Sequence, residues 1–284
     1  MRTLRCAVLA LGLAASAGLF AQPAREGAAA SARPGAALPP VTVTAPLRDP
    51  VQKSYRKMIR GMDLFERRHA LAPQATLRFK LLPRKSTTDM RNIDLYIVGS
   101  TVDQQVPVAA DQTFTLPRIP KALEEDAVVT PPARKAQTMT WRTEIRSPGM
   151  PPGTRRLGDL RLECLVGMEA DLVSGANNLL ARFAHLFSDP VAYCGQKQSR
   201  YLFFAERPVF SVTLVAGNRR EVLPVDRLYA EASDDPGLKA TLPVCDCEVL
   251  LDRTYFLPLG DASWPDDTRV EYEFMEDGDA PPAR

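Results

Sequence analysis

The stretch that most constrains this chain is NIDLYIVGSTVDQQVPVAADQTFTLPRIP, residues 92–120. Ile93, Leu95 and Ile97 alternate with Asp94 and Tyr96, a period of two that sets one face of a strand on a core and the other toward water. Gly99 and Ser100 break that run, and Val106 and Val108 alternate in a second. Residues 109–112 make a polar turn, and Phe114 and Leu116 alternate in a third run before Pro117 and Pro120 stop it. Three short strands at this spacing predict an antiparallel meander in a sandwich or small barrel.

Around the meander, Leu77, Phe79 and Leu81 alternate and predict an entering strand over 75–82. Further strands are predicted at 128–130, 139–145, 201–205, 209–215, 220–224, 241–251 and 269–274, with Ala216, Gly217 and Asn218 as a hairpin turn. Upstream, Asp49-Pro50 has the form of an N-cap followed by a first-turn proline. Val51, Tyr55, Met58, Ile59, Met62 and Phe65 then fall on one helical stripe, which predicts an amphipathic helix from 50 to about 69. Its other faces carry Lys53, Arg56, Lys57 and Arg60, and Arg67, Arg68 and His69 sit where cations complement the helix dipole. A second helix is predicted over 167–188 from Leu179, Leu180, Phe183, Leu186 and Phe187, with Asp189-Pro190 as its stop, and short helical turns at 122–126 and 225–232. Residues 147–153, SPGMPPG, are too rich in proline for helix or central strand and mark a domain seam. Beyond it, Leu160, Leu162 and Cys164 alternate with Arg161 and Glu163 in RRLGDLRLEC, which predicts a strand. Arg155, Arg156, Asp159, Arg161 and Glu163 on it form an ion-paired surface or an anion-binding arginine cluster; the interspersed signs favour pairing.

Residues 1–21 have a basic start (Arg2, Arg5), an apolar run over 7–20 and small residues at Ala15, Ser16, Ala17 and Ala21, the pattern of a secretory signal. An uncleaved anchor is the alternative, disfavoured because the run is shorter than the ~20 residues of a spanning helix. No transmembrane helix is expected after cleavage. Loss of Arg2 and Arg5 with no acidic residue lowers Lys+Arg from 36 to 34 against Asp+Glu 34, so the mature net charge is about zero and argues for no nucleic-acid partner. The 25 prolines and the Ala/Arg bias suggest a high-GC bacterial source, which with the signal points to the periplasm or beyond. Residues 22–49, rich in Ala, Pro and Gly, read as a disordered leader, and 275–284 as a disordered tail.

Apart from Cys6, four cysteines remain, Cys164, Cys194, Cys245 and Cys247, an even number that in an exported chain predicts disulfides. Two residues apart on a strand, Cys245 and Cys247 would lie about 6.6 Å apart at Cα, near the limit for a bridge. The expectation is therefore that each bonds one of Cys164 and Cys194. The acidic or apolar neighbours Val244, Asp246 and Glu248 raise thiol pKa and argue against a redox dithiol. His69 and His185 lie far apart, with no zinc-ligand spacing, and no metal or other cofactor is expected.

Nucleophile elbows, zinc-protease helices and phosphate-cradling glycine loops are absent from the sequence. The acid clusters at 124–126, 234–235 and 266–267 are adjacent in loops, where solvated turns explain them. Two carboxylates distant in sequence and close in space could still serve a hydrolase acting on carbohydrate or peptide. Tyr201, Phe203 and Phe204, in YLFFA, are candidates for an aromatic binding patch, although core packing is the commoner role of such side chains in strands.

The run VPVAADQTFTLPRIP resembles the transthyretin-like β-sandwich of carboxypeptidase regulatory domains and related bacterial modules. The resemblance spans about 75–142 and departs from the pattern at Gln112, where a glycine is expected after the turn aspartate. It implies a sandwich serving as a binding or structural appendage. The helix, NIDLYIV and PGMPPGTRRLGDLRLEC together are also similar to a group of uncharacterised secreted proteins of β- and γ-proteobacteria, which implies compartment and no activity. The expected fold is α+β and β-dominated: a helix plus an antiparallel transthyretin-like sandwich over 50–146, then a disulfide-stapled α+β domain over 154–274. The expected role is a non-enzymatic envelope binding or assembly-support module in the periplasm or secreted, with a protein, glycan or lipid partner and Arg155, Arg156, Arg161, Tyr201, Phe203 and Phe204 as candidate contacts. The alternative is the periplasmic hydrolase.

Overall fold

A computed structural model of the chain describes residues 52–84, 87–132, 139–172, 189–197, 199–230 and 247–275. The signal, the leader, residues 173–188 of the helix predicted over 167–188, Cys245 and the tail beyond 275 lie outside them.

β1 (Lys53–Ser54) runs directly into α1 (Tyr55–Arg68). The helix begins five residues later than predicted because Lys53 and Ser54 pair with Val129 and Val128, and Ser54, not Asp49, caps it by accepting the Lys57 N–H. After His69, whose ring nitrogen bonds the Ala75 carbonyl at 3.0 Å, comes β2 (Thr76–Pro83). β3 (Tyr96–Val98) and β4 (Asp103–Gln105) form a hairpin, but β4 precedes the predicted second run, and Val106 and Val108 lie in no strand. β5 (Thr113–Phe114) leaves the predicted meander and pairs with β2. The departure occurs at the 109–112 turn, where Gln112 adopts φ 62 and its carbonyl accepts the Leu81 N–H. α2 (Pro120–Glu124), β6 (Val128–Thr130) and β7 (Met139–Arg146) follow. The first half therefore holds two antiparallel sheets, β1-β6-β3-β4 and β5-β2-β7. Ile97 and Val129 from one, Phe79, Leu81, Phe114, Met139 and Trp141 from the other, and Tyr55, Met58 and Ile59 of α1 share one core.

The seam residues lead into β8 (Thr154–Arg156) and then α3 (Leu157–Glu169). The predicted strand through Cys164 is thus a helix. Leu157, Leu160, Leu162, Cys164, Leu165 and Val166 are all buried, so this helix lies inside the molecule with apolar residues on nearly every side and shows no stripe. It packs on α1 so closely that a Cβ on Gly61 would stand 2.9 Å from that of Ala170. α4 (Pro190–Cys194), β9 (Phe203–Phe204), β10 (Val209–Ala216), β11 (Arg219–Val222), β12 (Thr254–Tyr255) and β13 (Arg269–Phe274) complete the described elements. β10 and β11 form the predicted hairpin with Gly217 at φ 56, the left-handed conformation glycine adopts freely. The order β11-β10-β13-β8 is again antiparallel throughout. Two further elements differ from expectation in type: 225–227 and 247–253 are 3₁₀ turns, where a short helix and a strand were expected.

The second core gathers Leu157, Leu160 and Leu162 with Val212, Leu214, Tyr255, Trp264 and Val270, and includes Ile145 of β7 and Leu64 of α1. All described residues belong to one compact unit, Ala45–Arg284. The architecture is β-dominated and antiparallel, with one disulfide among the described residues. That disulfide joins Cys164 of α3 to Cys194 at the end of α4, with Cα atoms 6.1 Å apart. The expected cross-pairing of Cys164 and Cys194 with Cys245 and Cys247 is therefore incorrect. Its premise was a strand shared by Cys245 and Cys247; Cys247 instead opens a 3₁₀ segment, and α3 turns the Cys164 side chain onto α4. Among the described residues no helix is long and apolar enough to cross a membrane.

Candidate functional site

The alternation that buries Phe79 and Leu81 puts Thr76, Arg78 and Lys80 on the other face of β2. Pairing with β7 sets Thr76 opposite Arg146, Arg78 opposite Glu144, and Lys80 opposite Arg142, while Thr113 of β5 faces Lys80 from the other side. With Asp111 and Glu206, these strands line an open trough of about 460 Å³. Lys80, Glu144, Arg146 and Glu206 also line a smaller recess of about 40 Å³, whose other walls include Arg142, Arg155, Glu163, Tyr201 and Phe204.

The acids of the trough are engaged. Arg146 binds Glu144 through Nε and Glu206 through Nη2, the latter at 2.6 Å. Asp111 Oδ1 accepts the Thr113 backbone N–H at 3.1 Å and its hydroxyl at 2.7 Å, and the hydroxyl contact holds the carboxyl below its ordinary range. Burial works against the Glu144 charge, but Arg155, Arg146 and Lys80 together keep its pKa below the ordinary value. Arg142 reaches the Leu172 carbonyl at 3.2 Å and lies 4.6 Å over the Phe204 ring.

Behind the recess, the free edge of β7 is closed by side chains. Glu163 Oε1 accepts the Ile145 N–H at 2.8 Å and Arg155 Nη2 at 2.6 Å; the same Arg155 nitrogen donates to the Ile145 carbonyl at 2.6 Å. Arg155 and Glu163 thus take the place of a neighbouring strand, satisfying buried backbone groups that would otherwise be orphaned. One turn earlier on α3, Asp159 accepts the Ser147 N–H at 2.8 Å and its hydroxyl at 2.7 Å. Burial pushes the Glu163 carboxyl up to about 7 against the pull of Arg155, and burial pushes Tyr201 up to about 12.

Of the six candidate contacts, the structure brings Arg155, Tyr201, Phe203 and Phe204 together around the recess. Tyr201 and Phe203 are buried in the second core and only Phe204 is partly open. Arg156 lies on β8 opposite Arg269. Arg161 is tied elsewhere: it pairs with Asp266 and donates to the carbonyls of Leu259, Asp261 and Trp264. Among the acid clusters, Glu125 accepts the Thr101 and Val102 N–H groups, closing a turn, with its pKa lowered to about 2 chiefly by the Thr101 side chain. Cys247 opens the 3₁₀ segment Cys247–Arg253. Among the described residues no group of three or more His, Cys, Asp or Glu side chains is placed to hold a metal ion.

Sequence reasoning missed Arg78, Lys80, Arg142, Glu144 and Arg146. Their signal was present as the charged alternate positions of two strands read only for their apolar ones. No protein-family model, curated protein or solved structure matches the chain.

Proposed function

We propose that this protein is a non-enzymatic binding or assembly-support module of the bacterial envelope, exported by residues 1–21, and that the β2–β7 trough is its contact surface. The observation that carries this reading is the outer face of β2, where Arg78 and Lys80 stand in an open trough whose acids are already paired. A rigid sheet face holding charged groups in fixed register is suited to recognition. Two antiparallel sheets closing on one core are consistent with the transthyretin-like sandwich, whose relatives serve as binding appendages.

The test is capture of the exported full-length chain from its native envelope after crosslinking, comparing the natural sequence with Arg78→Glu/Lys80→Glu. A partner recovered with the natural chain and lost with the variant, the variant being exported and folded, supports the reading. Equal recovery removes the trough from it.

A second reading, a hydrolase with two carboxylates, is favoured by one observation: Glu144 and Glu163 line the same recess with pKa values displaced in opposite directions. Against it, the recess has room for little more than a water, and Glu163 Oε1 is committed to the edge of β7. Hydrolysis of a glycan or peptide library that is lost in both Glu144→Gln and Glu163→Gln would favour this reading over the first.

A further inference from the structure

We propose that the trough is a site for one oxygen-bearing anion, a carboxylate or phosphate group, held between Arg78 and Lys80; this rests on the trough being the contact surface. Four observations converge on it.

The first is the state of the neighbours. Glu144 and Glu206 are taken by Arg146, and Asp111 is taken by Thr113. Arg78 and Lys80 make no hydrogen bond or ion pair with any described residue; both act on the Asp111 carboxylate, and Lys80 on Glu144, only from beyond ion-pair distance. Their donors are therefore left for a charged acceptor in the trough, where a charge-assisted hydrogen bond is stronger than a neutral one.

The second is register. Lys80 stands directly opposite Arg142, with Arg78 on the adjacent outward position of the same strand. Like charges directly opposite on neighbouring strands destabilise a sheet. Glu144 opposite Arg78 and Arg146 opposite Thr76 share this face, and Arg142 is drawn off to the Leu172 carbonyl and the Phe204 ring, so the position left for an anion is the one beside Lys80 and Arg78.

The third is shape. The trough of about 460 Å³ is far larger than a single ion, so the anionic group arrives attached to a larger body that occupies the rest. The Arg78 fork suits the planar pair of oxygens on a carboxylate or phosphate, and Lys80 adds a compact point charge. The exposed Thr76 side chain on the wall offers a hydroxyl to the attached body.

The fourth is the rim. Glu206 and Asp111 border the same trough, so a second negative charge near the first is repelled. The site selects a single anionic group and discriminates against a dense polyanion.

The test uses the full mature chain and titrates inorganic phosphate, glucuronate and a galacturonate tetramer, each against sodium chloride at equal ionic strength. Binding is read by calorimetry and by the shift in Tm. The expected result is saturable binding of phosphate or glucuronate, weakened about tenfold or more by Lys80→Gln and by Arg78→Gln, and unchanged by Arg207→Gln, which lies outside the trough. Thr76→Glu, at an exposed wall position whose side chain makes no hydrogen bond with a described residue, places a carboxylate at the site and should abolish binding while leaving the unfolding transition intact. Binding of phosphate or glucuronate in preference to the tetramer assigns a single anionic group; binding of the tetramer alone, with its four carboxylates, contradicts the selection against a polyanion and overturns the proposal. No saturable binding of any probe beyond chloride, or equal binding by the Lys80 and Arg78 variants, overturns the proposal. Partner capture that still depends on Arg78 and Lys80 would in that event leave the binding-module reading standing. Anion binding without trough-dependent capture would do the reverse.

Discussion

Glu163 is the residue whose replacement reports most sharply on how the two halves are joined. Its Oε1 accepts the Ile145 N–H at 2.8 Å and Arg155 at 2.6 Å, and the whole arrangement is buried. Glu163→Ala leaves a buried backbone N–H without an acceptor, a loss of about 1–3 kcal/mol, and removes a charged hydrogen bond of about 1.5–3 kcal/mol. The expected destabilisation is therefore about 4 kcal/mol. Glu163→Gln is different. Because burial raises the carboxyl to about 7, its neutral and charged forms are comparably stable near neutrality. What the site needs there is an acceptor oxygen, which the amide supplies, so the loss should be about 1 kcal/mol.

The pH dependence follows with a definite sign. The folded pKa stands above the ordinary 4.5, so between about 4.5 and about 7 the native state holds a proton that the unfolded chain has released. The contribution of Glu163 is full below about 4.5 and is lost as pH rises through about 7. Glu163→Gln lacks that component. Urea unfolding of the three proteins from pH 4 to 8, with m-values compared, reads both effects. Equal losses for Ala and Gln at pH 7, or an Ala variant within about 1 kcal/mol of the natural protein, would refute the edge-closing role.

Other expectations are independent of that pair. Peptide mapping without reduction should recover Cys164 linked to Cys194; Cys164→Ala/Cys194→Ala, which opens a loop with a sequence separation of 30, should lower stability by about 3.5 kcal/mol. Gly158→Ala should cost at least about 3 kcal/mol in urea unfolding, because its Cβ would overlap the Leu71 carbonyl oxygen and stand 3.0 Å from that of Asp266. Intact mass of the protein taken from the cell envelope should correspond to loss of residues 1–21; a chain beginning at Met1 would replace the exported soluble species with an anchored one.

The parts of the fold that were legible in the sequence are those with one buried face. Leu77, Phe79 and Leu81, and Ile93, Leu95 and Ile97, alternate because one side of each segment packs on the first core; the first reads correctly as β2, while of the second only Tyr96–Val98 forms a strand. α3 was misread for the opposite reason. It is buried on nearly all sides, so the two-residue spacing of Leu160, Leu162 and Cys164 imitates a strand. A better signal was available in Asp159 and Glu163, four residues apart and so on one side of a helix, which is where both reach the edge that runs from Ile145 to Ser147. β5 joined the wrong sheet in the prediction because residues 109–112 set a turn but not which neighbour the next strand finds. Arg78 and Lys80 could be placed on a solvent face from alternation alone. Their meeting with Arg142 and Glu144 depends on a register between segments distant in sequence, which no local pattern encodes.

The most direct test of the trough as the working surface is a photo-crosslinking side chain placed at Thr76, on its wall, and in a parallel chain at Gln104, on the exposed strand β4 outside it. Both chains are expressed and exported in the native host, irradiated and resolved by mass spectrometry. The account predicts a discrete crosslinked species from position 76 that is absent from position 104 and disappears with Arg78→Glu/Lys80→Glu. No adduct from position 76, or the same adduct from both positions, would contradict it.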